Sequence, residues 1–172
     1  TVGRLNWKKG YDYALKALYL LKTKNINFEY HIIGEGSYKE AIIYAINQLN
    51  LNDNVIIKGK LLHKDIKKEM KWADLYIQPS IQEGFCNSVL EAQAMGLLCI
   101  VTNAEGLSEN ILDGETGWVV SKRSPKELFD KILEILSADV NLLKKIKEFA
   151  MKRVKTKYNI NNQNKLFVDF YN

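Results

Sequence analysis

Apolar positions along the chain switch between two rhythms. From Tyr11 to Lys22 they fall at Ala14, Leu15, Leu18 and Leu21, the spacing that gathers one face of a helix. FEYHIIG (Phe28–Gly34) is a short apolar run closed by glycine, and it predicts a strand. The exchange repeats along the chain. A predicted helix from about Tyr38 to Leu49 precedes the strand NVIIKG (Asn54–Gly59), and another over His63–Trp72 precedes DLYIQ (Asp74–Gln78). A third, ending near Gly96, precedes LLCIVT (Leu97–Thr102). A short turn of helix around Leu107–Leu112 then leads through Asp113-Gly114 and Thr116-Gly117 to WVV (Trp118–Val120). After Pro125 the pattern is helical almost to the end. The opening TVGRL reads as the last residues of a buried strand, finishing at Gly3, and the loop after it. On that reading, residues upstream belong to the same protein.

This alternation predicts an α/β fold: a Rossmann-like, doubly wound parallel sheet of about six strands, helices on both faces, and a C-terminal helical extension. The usual order of such sheets, 3-2-1-4-5-6, makes strands 1 and 4 neighbours, and their following loops open onto one crevice. The loop after strand 1 is GRLNWKKG, carrying Arg4 and Lys9. The loop after strand 4 lies in PSIQEGFCNSVLEAQAMG (Pro79–Gly96), with Glu83 and Gly84 before a small-residue helix that holds Glu91. Topology thus sets two cations opposite a helix N-terminus and a carboxylate, a site for a charged, hydroxyl-rich ligand.

Other features narrow the picture. The 172 residues, 47% of them apolar, fit one globular domain. Cys86 and Cys99 lack metal-clip spacing and point to a reducing, cytoplasmic setting. The net charge of +5 is concentrated in Lys144–Lys157, with seven basic residues and one acid. That run reads first as a solvated helix face, with peripheral contact to anionic lipid as the alternative. No aromatic interleaving or arginine cluster marks it for nucleic acid. Gly34-Glu35-Gly36 lacks the third glycine of a dinucleotide fingerprint, position 39 being Lys. His31 and His63 read as structural or surface residues. Ser88-x-x-Glu91 is also a literal capping box, a purely structural role for Glu91.

Taken together and in order, VGRL…KKG, HIIGEG, NVIIKG, ADLYIQPS, EGFCNSVLEAQAMG and DGETGWVV resemble the C-terminal half of a retaining family 4 glycosyltransferase of the GT-B fold. The resemblance covers nearly all of the chain. It implies that residues 1–172 form the nucleotide-sugar-binding domain and that an N-terminal domain, absent here, supplies most of the acceptor site. Arg4 and Lys9 would match the cations on the donor diphosphate, and Glu83 the acid that holds hydroxyls of the transferred sugar. Gly84, Phe85 and Cys86, with the neighbouring Asn87, would lend backbone N–H groups. Glu91 would hold the ribose, and Leu61 would border the base through its backbone. Cys86 and Leu97 stand where many relatives have glycine and proline.

The activity so implied is retaining transfer of a hexosyl group from a nucleoside diphosphate to a glycan or lipid-linked acceptor, with no cofactor or metal required. The last segment, NNQNKLFVDFY, is expected to place Leu166, Phe167 and Phe170 on a helix. Two rivals stand beside this reading. One is a non-transferring enzyme of the same architecture, such as a UDP-N-acetylglucosamine 2-epimerase. The other is a binding or regulatory module without nucleotide affinity.

Overall fold

The structure, a computed structural model, describes residues 1–158. Five strands, β1 (Tyr30–Ile33), β2 (Val55–Gly59), β3 (Leu75–Gln78), β4 (Leu98–Thr102) and β5 (Trp118–Val120), alternate with helices and pair in parallel. The helices are α1 (Tyr11–Thr23), α2 (Lys39–Gln48), α3 (His63–Trp72), α4 (Asn87–Ala94), α5 (Leu107–Asn110), α6 (Pro125–Ser137) and α7 (Val140–Lys157).

The strands form two groups, β1-β2 and β3-β4-β5. What lies between them is the start of the chain. Gly3 N–H donates to the Ile33 carbonyl and Ile33 N–H to the Thr1 carbonyl, each at 2.9 Å, so Thr1–Gly3 runs beside β1 as a parallel stub. On the stub's other side, Val2 N–H donates to the Tyr76 hydroxyl of β3 at 3.3 Å, and the Thr1 hydroxyl donates to the Ile77 carbonyl. The spatial order β2-β1-stub-β3-β4-β5 is the predicted 3-2-1-4-5-6. Strand 1 of that order is reduced to one bridging residue, Val2, so the described residues hold five full strands and this stub, in keeping with the expected count of about six.

Side chains alternate across a strand, and β4 shows the consequence. Leu98 and Ile100 enter one core with Leu15, Leu18, Ile32 and Phe129. Cys99 and Val101 enter the other, with Val89, Ala92 and Leu107. Helices α1 and α6 pack together on the first face, and α4 packs on α7 on the second. Every residue of β4 is buried, as a central strand covered on both faces must be.

The helical stretch expected after Pro125 is divided into two helices. Ser124 caps α6 by accepting from Glu127 N–H, with Pro125 at its first position. The chain extends at Ala138 and Asp139, and the Asp139 carboxylate then accepts from the N–H groups of Asn141 and Leu142 to start α7. The segment NNQNKLFVDFY lies outside the described residues. Among those described, no helix is long and apolar enough to cross a membrane.

At the strand starts, an apolar slot of about 330 Å³ separates β1 from β3, walled by Tyr30, His31, Trp72, Leu75, Tyr76 and Ile132. His31 stacks on Trp72 with ring centroids 4.0 Å apart, and its two ring nitrogens meet Glu29 and Glu69.

Candidate functional site

The opposite end of the sheet carries the polar chemistry. After the stub, Trp7–Lys9 makes one turn of 3-10 helix that stops at Gly10, where φ is +67°. A Cβ at Gly10 would stand 2.0 Å from the Pro79 carbonyl oxygen, so glycine lets this loop lie against the one after β3. Backbone bonds join the two loops: Ile81 N–H donates to the Lys8 carbonyl at 2.7 Å, and Gln82 N–H donates to the same oxygen at 3.3 Å. A third loop, after β4, closes the group. Gly106 N–H donates to the Glu83 carbonyl at 3.0 Å, and a Cβ on Gly106 would fall 2.3 Å from Gly84 backbone.

Between the three loops is an open hollow of about 360 Å³, lined by Asn6, Lys8, Lys9, Gln82, Glu83, Gly84 and Glu105. Lys9 Nζ donates to Glu83 Oε2 in an ion pair whose side chains are 14% and 15% exposed. Asn6 Oδ1 is buried and has no hydrogen-bond partner among the described residues, an unmet acceptor in the hollow's wall. On the rim, the Glu105 carboxyl is held below the usual carboxylate range, first by its own backbone N–H and then by Lys122. Helix α4 begins three residues after Gly84 with no side chain capping it, so its first N–H groups carry partial positive charge.

The sequence-derived residues divide. Lys9, Glu83 and Gly84 share the hollow. Arg4 is exposed, is not among the lining residues, and has no side-chain partner among the described residues. Phe85 is exposed, with its ring tilted against Tyr158 at 5.3 Å. Asn87 is exposed and opens α4. Glu91 is half-buried one turn on, and Leu61 is half-buried in the loop between β2 and α3.

Two expectations need correction. The Cys86 N–H is not free for a ligand: it donates to Asn110 Oδ1 at 3.1 Å, and Asn110 Nδ2 donates back to the Cys86 carbonyl at 3.2 Å. Nor is the capping box formed. Cys86, not Ser88, is the N-cap residue, and the Ser88 hydroxyl donates to the Val2 carbonyl at 3.1 Å instead. Sequence reasoning also passed over Lys8 and Asn6 in the hollow and the buried polar residues Gln78, Ser80, Thr102 and Asn110 behind it.

A doubly wound α/β domain with a charged hollow at its switch point, beyond the carboxyl ends of the strands, is a ligand-binding domain by architecture. The chain belongs to the group 1 glycosyl transferases: the model of that family, Glycosyl transferases group 1, matches residues 1–153. Among curated relatives, the amylovoran biosynthesis glycosyltransferase AmsK of Erwinia amylovora is 28% identical over 165 residues, which cover 92% of this chain and 40% of AmsK. The C-terminal domain of a group 1 family glycosyl transferase, LpcC of Francisella tularensis, superposes with a TM-score of 0.81 at 27% identity. The match covers 92% of this chain and 85% of that one. A TarM variant from S. aureus, solved with fondaparinux, alpha-GlcNAc-glycerol and UDP, gives 0.87 at 26% identity, over 99% of this chain and 34% of that one. The chain thus spans less than half the length of the curated relatives it matches.

Proposed function

We propose that this chain is the donor domain of a retaining glycosyltransferase, holding a nucleoside diphosphate sugar at the switch-point hollow. The observation that carries the reading is the meeting of Lys9 and Glu83, 74 residues apart in sequence, in one hollow. A diphosphate needs a cation and aimed N–H donors, and a sugar needs a carboxylate to accept from its hydroxyls. The cation and the carboxylate meet in the hollow, and the helix start follows Glu83 along the chain. UDP in the TarM complex supports a nucleotide as the ligand class.

In the reaction, the glycosidic C–O bond to the diphosphate breaks, and negative charge builds on the departing phosphate oxygen. Lys9 Nζ and the first-turn N–H groups of α4 are donors fixed in advance for that charge. Arg4, on the same loop as Lys9 and without a side-chain partner among the described residues, supplies a further cation when a ligand draws it in. Glu83 orients the sugar, and Glu91 accepts from the ribose. The acceptor hydroxyl attacks from the face the leaving group vacates and passes its proton to the departing phosphate oxygen, so the anomeric configuration is kept. The acceptor, a glycan or lipid-linked sugar, is held largely by the domain that precedes this one in the intact protein.

Isothermal titration of the chain with UDP, GDP and ADP tests the reading. Saturable binding of one of them, tightened by a covalently attached hexose, is expected. The absence of heat for all three at millimolar concentration would remove the donor-site assignment.

A further inference from the structure

Behind Glu83 runs a line of buried side chains that the transfer chemistry does not touch. Tyr76, Gln78 and Ser80 occupy alternate positions of β3 and its continuation, so they share one side of the strand. The Tyr76 hydroxyl donates to Gln78 Oε1 at 2.9 Å. Gln78 Nε2 donates to Ser80 Oγ at 2.8 Å, and Ser80 Oγ donates to Glu83 Oε2 at 3.0 Å. Gln78 and Ser80 are both 0% exposed. The Ser80 carbonyl is held as well, by the Thr102 hydroxyl from β4.

The direction of the bonds matters. Burial pushes the Tyr76 phenol well above its ordinary value, so it stays protonated and able to donate. The carboxamide of Gln78 is used at both ends, accepting from Tyr76 and donating to Ser80. Because Gln78 donates to Ser80, the single Ser80 proton is left for Glu83. Both contacts that Glu83 makes through its carboxylate, from Ser80 and from Lys9, fall on Oε2. Among the described residues, Oε1 has no partner.

We propose that Gln78 is a positioning residue for sugar recognition: acting through Ser80, it locks Glu83 Oε2 and leaves Oε1 as the acceptor for hydroxyls of the transferred sugar. This rests on the donor-domain reading above, and it adds a division of labour within the hollow. The relay governs the sugar, whereas Lys9 and the α4 amides govern the diphosphate. Without the Ser80 proton, the carboxylate can rotate about its terminal torsion, and the sugar loses a charge-assisted bond.

The test uses Gln78→Met, which keeps the length but cannot donate, Ser80→Ala, which removes the last link with little change of volume, and Ser80→Thr, which keeps the hydroxyl. Each is titrated with the nucleoside diphosphate that the wild-type chain binds and with its glucose, galactose and N-acetylglucosamine conjugates. Circular dichroism melts confirm the fold of each variant. Gln78→Met and Ser80→Ala should each lose about tenfold in affinity for the preferred conjugate, the loss of one charged hydrogen bond. Affinity for the bare diphosphate should stay within about twofold, and Ser80→Thr should behave as wild type. Equal losses for conjugate and bare diphosphate would make the relay merely structural and overturn the proposal. Unchanged affinity for both would overturn it too, while leaving the donor site standing. A wild-type chain that binds no nucleotide at all would bring down the donor-domain reading itself.

Discussion

Replacing Lys9 with alanine is expected to lower the transfer rate of the intact glycosyltransferase by about 10²–10³, the usual effect of removing one preorganised donor from a developing anion. Lys9 is suited to that role by its surroundings. Its loop is pinned to the loop after β3 by the bonds from Ile81 and Gln82 to the Lys8 carbonyl, so the ammonium is delivered with little freedom. Its charge is engaged by Glu83, and on the proposed reading a diphosphate takes over part of that interaction. Both side chains are mostly shielded from water, which strengthens the attraction relative to a surface pair. Titration with the bare nucleoside diphosphate should show the same substitution weakening binding, since the cation contacts the part that both ligands share. An unchanged rate together with unchanged diphosphate affinity would mean that the ion pair is architectural.

Gly10→Ala should have a large effect on folding. At φ +67° an alanine pays the left-handed penalty of roughly 1–2 kcal/mol. Its methyl would also sit 2.0 Å from the Pro79 carbonyl oxygen, which backbone cannot yield without moving the loop. Overpacking of this kind costs typically about 1–3 kcal/mol, so a total of roughly 2–5 kcal/mol is expected. The midpoint of urea unfolding measures it. The substitution should also abolish nucleotide binding under conditions where the chain remains folded, because Lys9 and Glu83 are brought together by this close approach. A midpoint unchanged from wild type would contradict the contact.

Much of this architecture could be read along the chain because parallel sheets write themselves as short apolar runs between helical stripes. The α3 span and the β5 span match their expected bounds, and β1, β2, β3 and β4 differ from theirs by one or two residues at an end. The pairing of the Lys9 loop with the Glu83 loop followed from strand order, a topological rule that needs no contact information.

The remainder depends on contacts between distant residues. Ser88 looked like a helix cap because the box is a local pattern, yet its hydroxyl reaches Val2, 86 residues away. Asn110 claims the Cys86 N–H across 24 residues, and nothing near Cys86 announces it. Gln78 closes a predicted strand and Ser80 stands in the loop stretch after it, yet both are buried and bonded in series. The break between α6 and α7 contains no glycine or proline. Asp139 makes it by capping, a signal that a continuous apolar stripe conceals.

The central claim is a place: a diphosphate clasped between the Lys9 loop and the start of α4. A crystal structure of the chain with the sugar nucleotide it binds in solution measures this directly. Phosphate oxygens within hydrogen-bond distance of Lys9 Nζ and of the first-turn N–H groups of α4, with a sugar hydroxyl on Glu83, are predicted. Nucleotide seated in the apolar slot at the other end of the strands, with the Lys9–Glu83 hollow empty, would contradict the account.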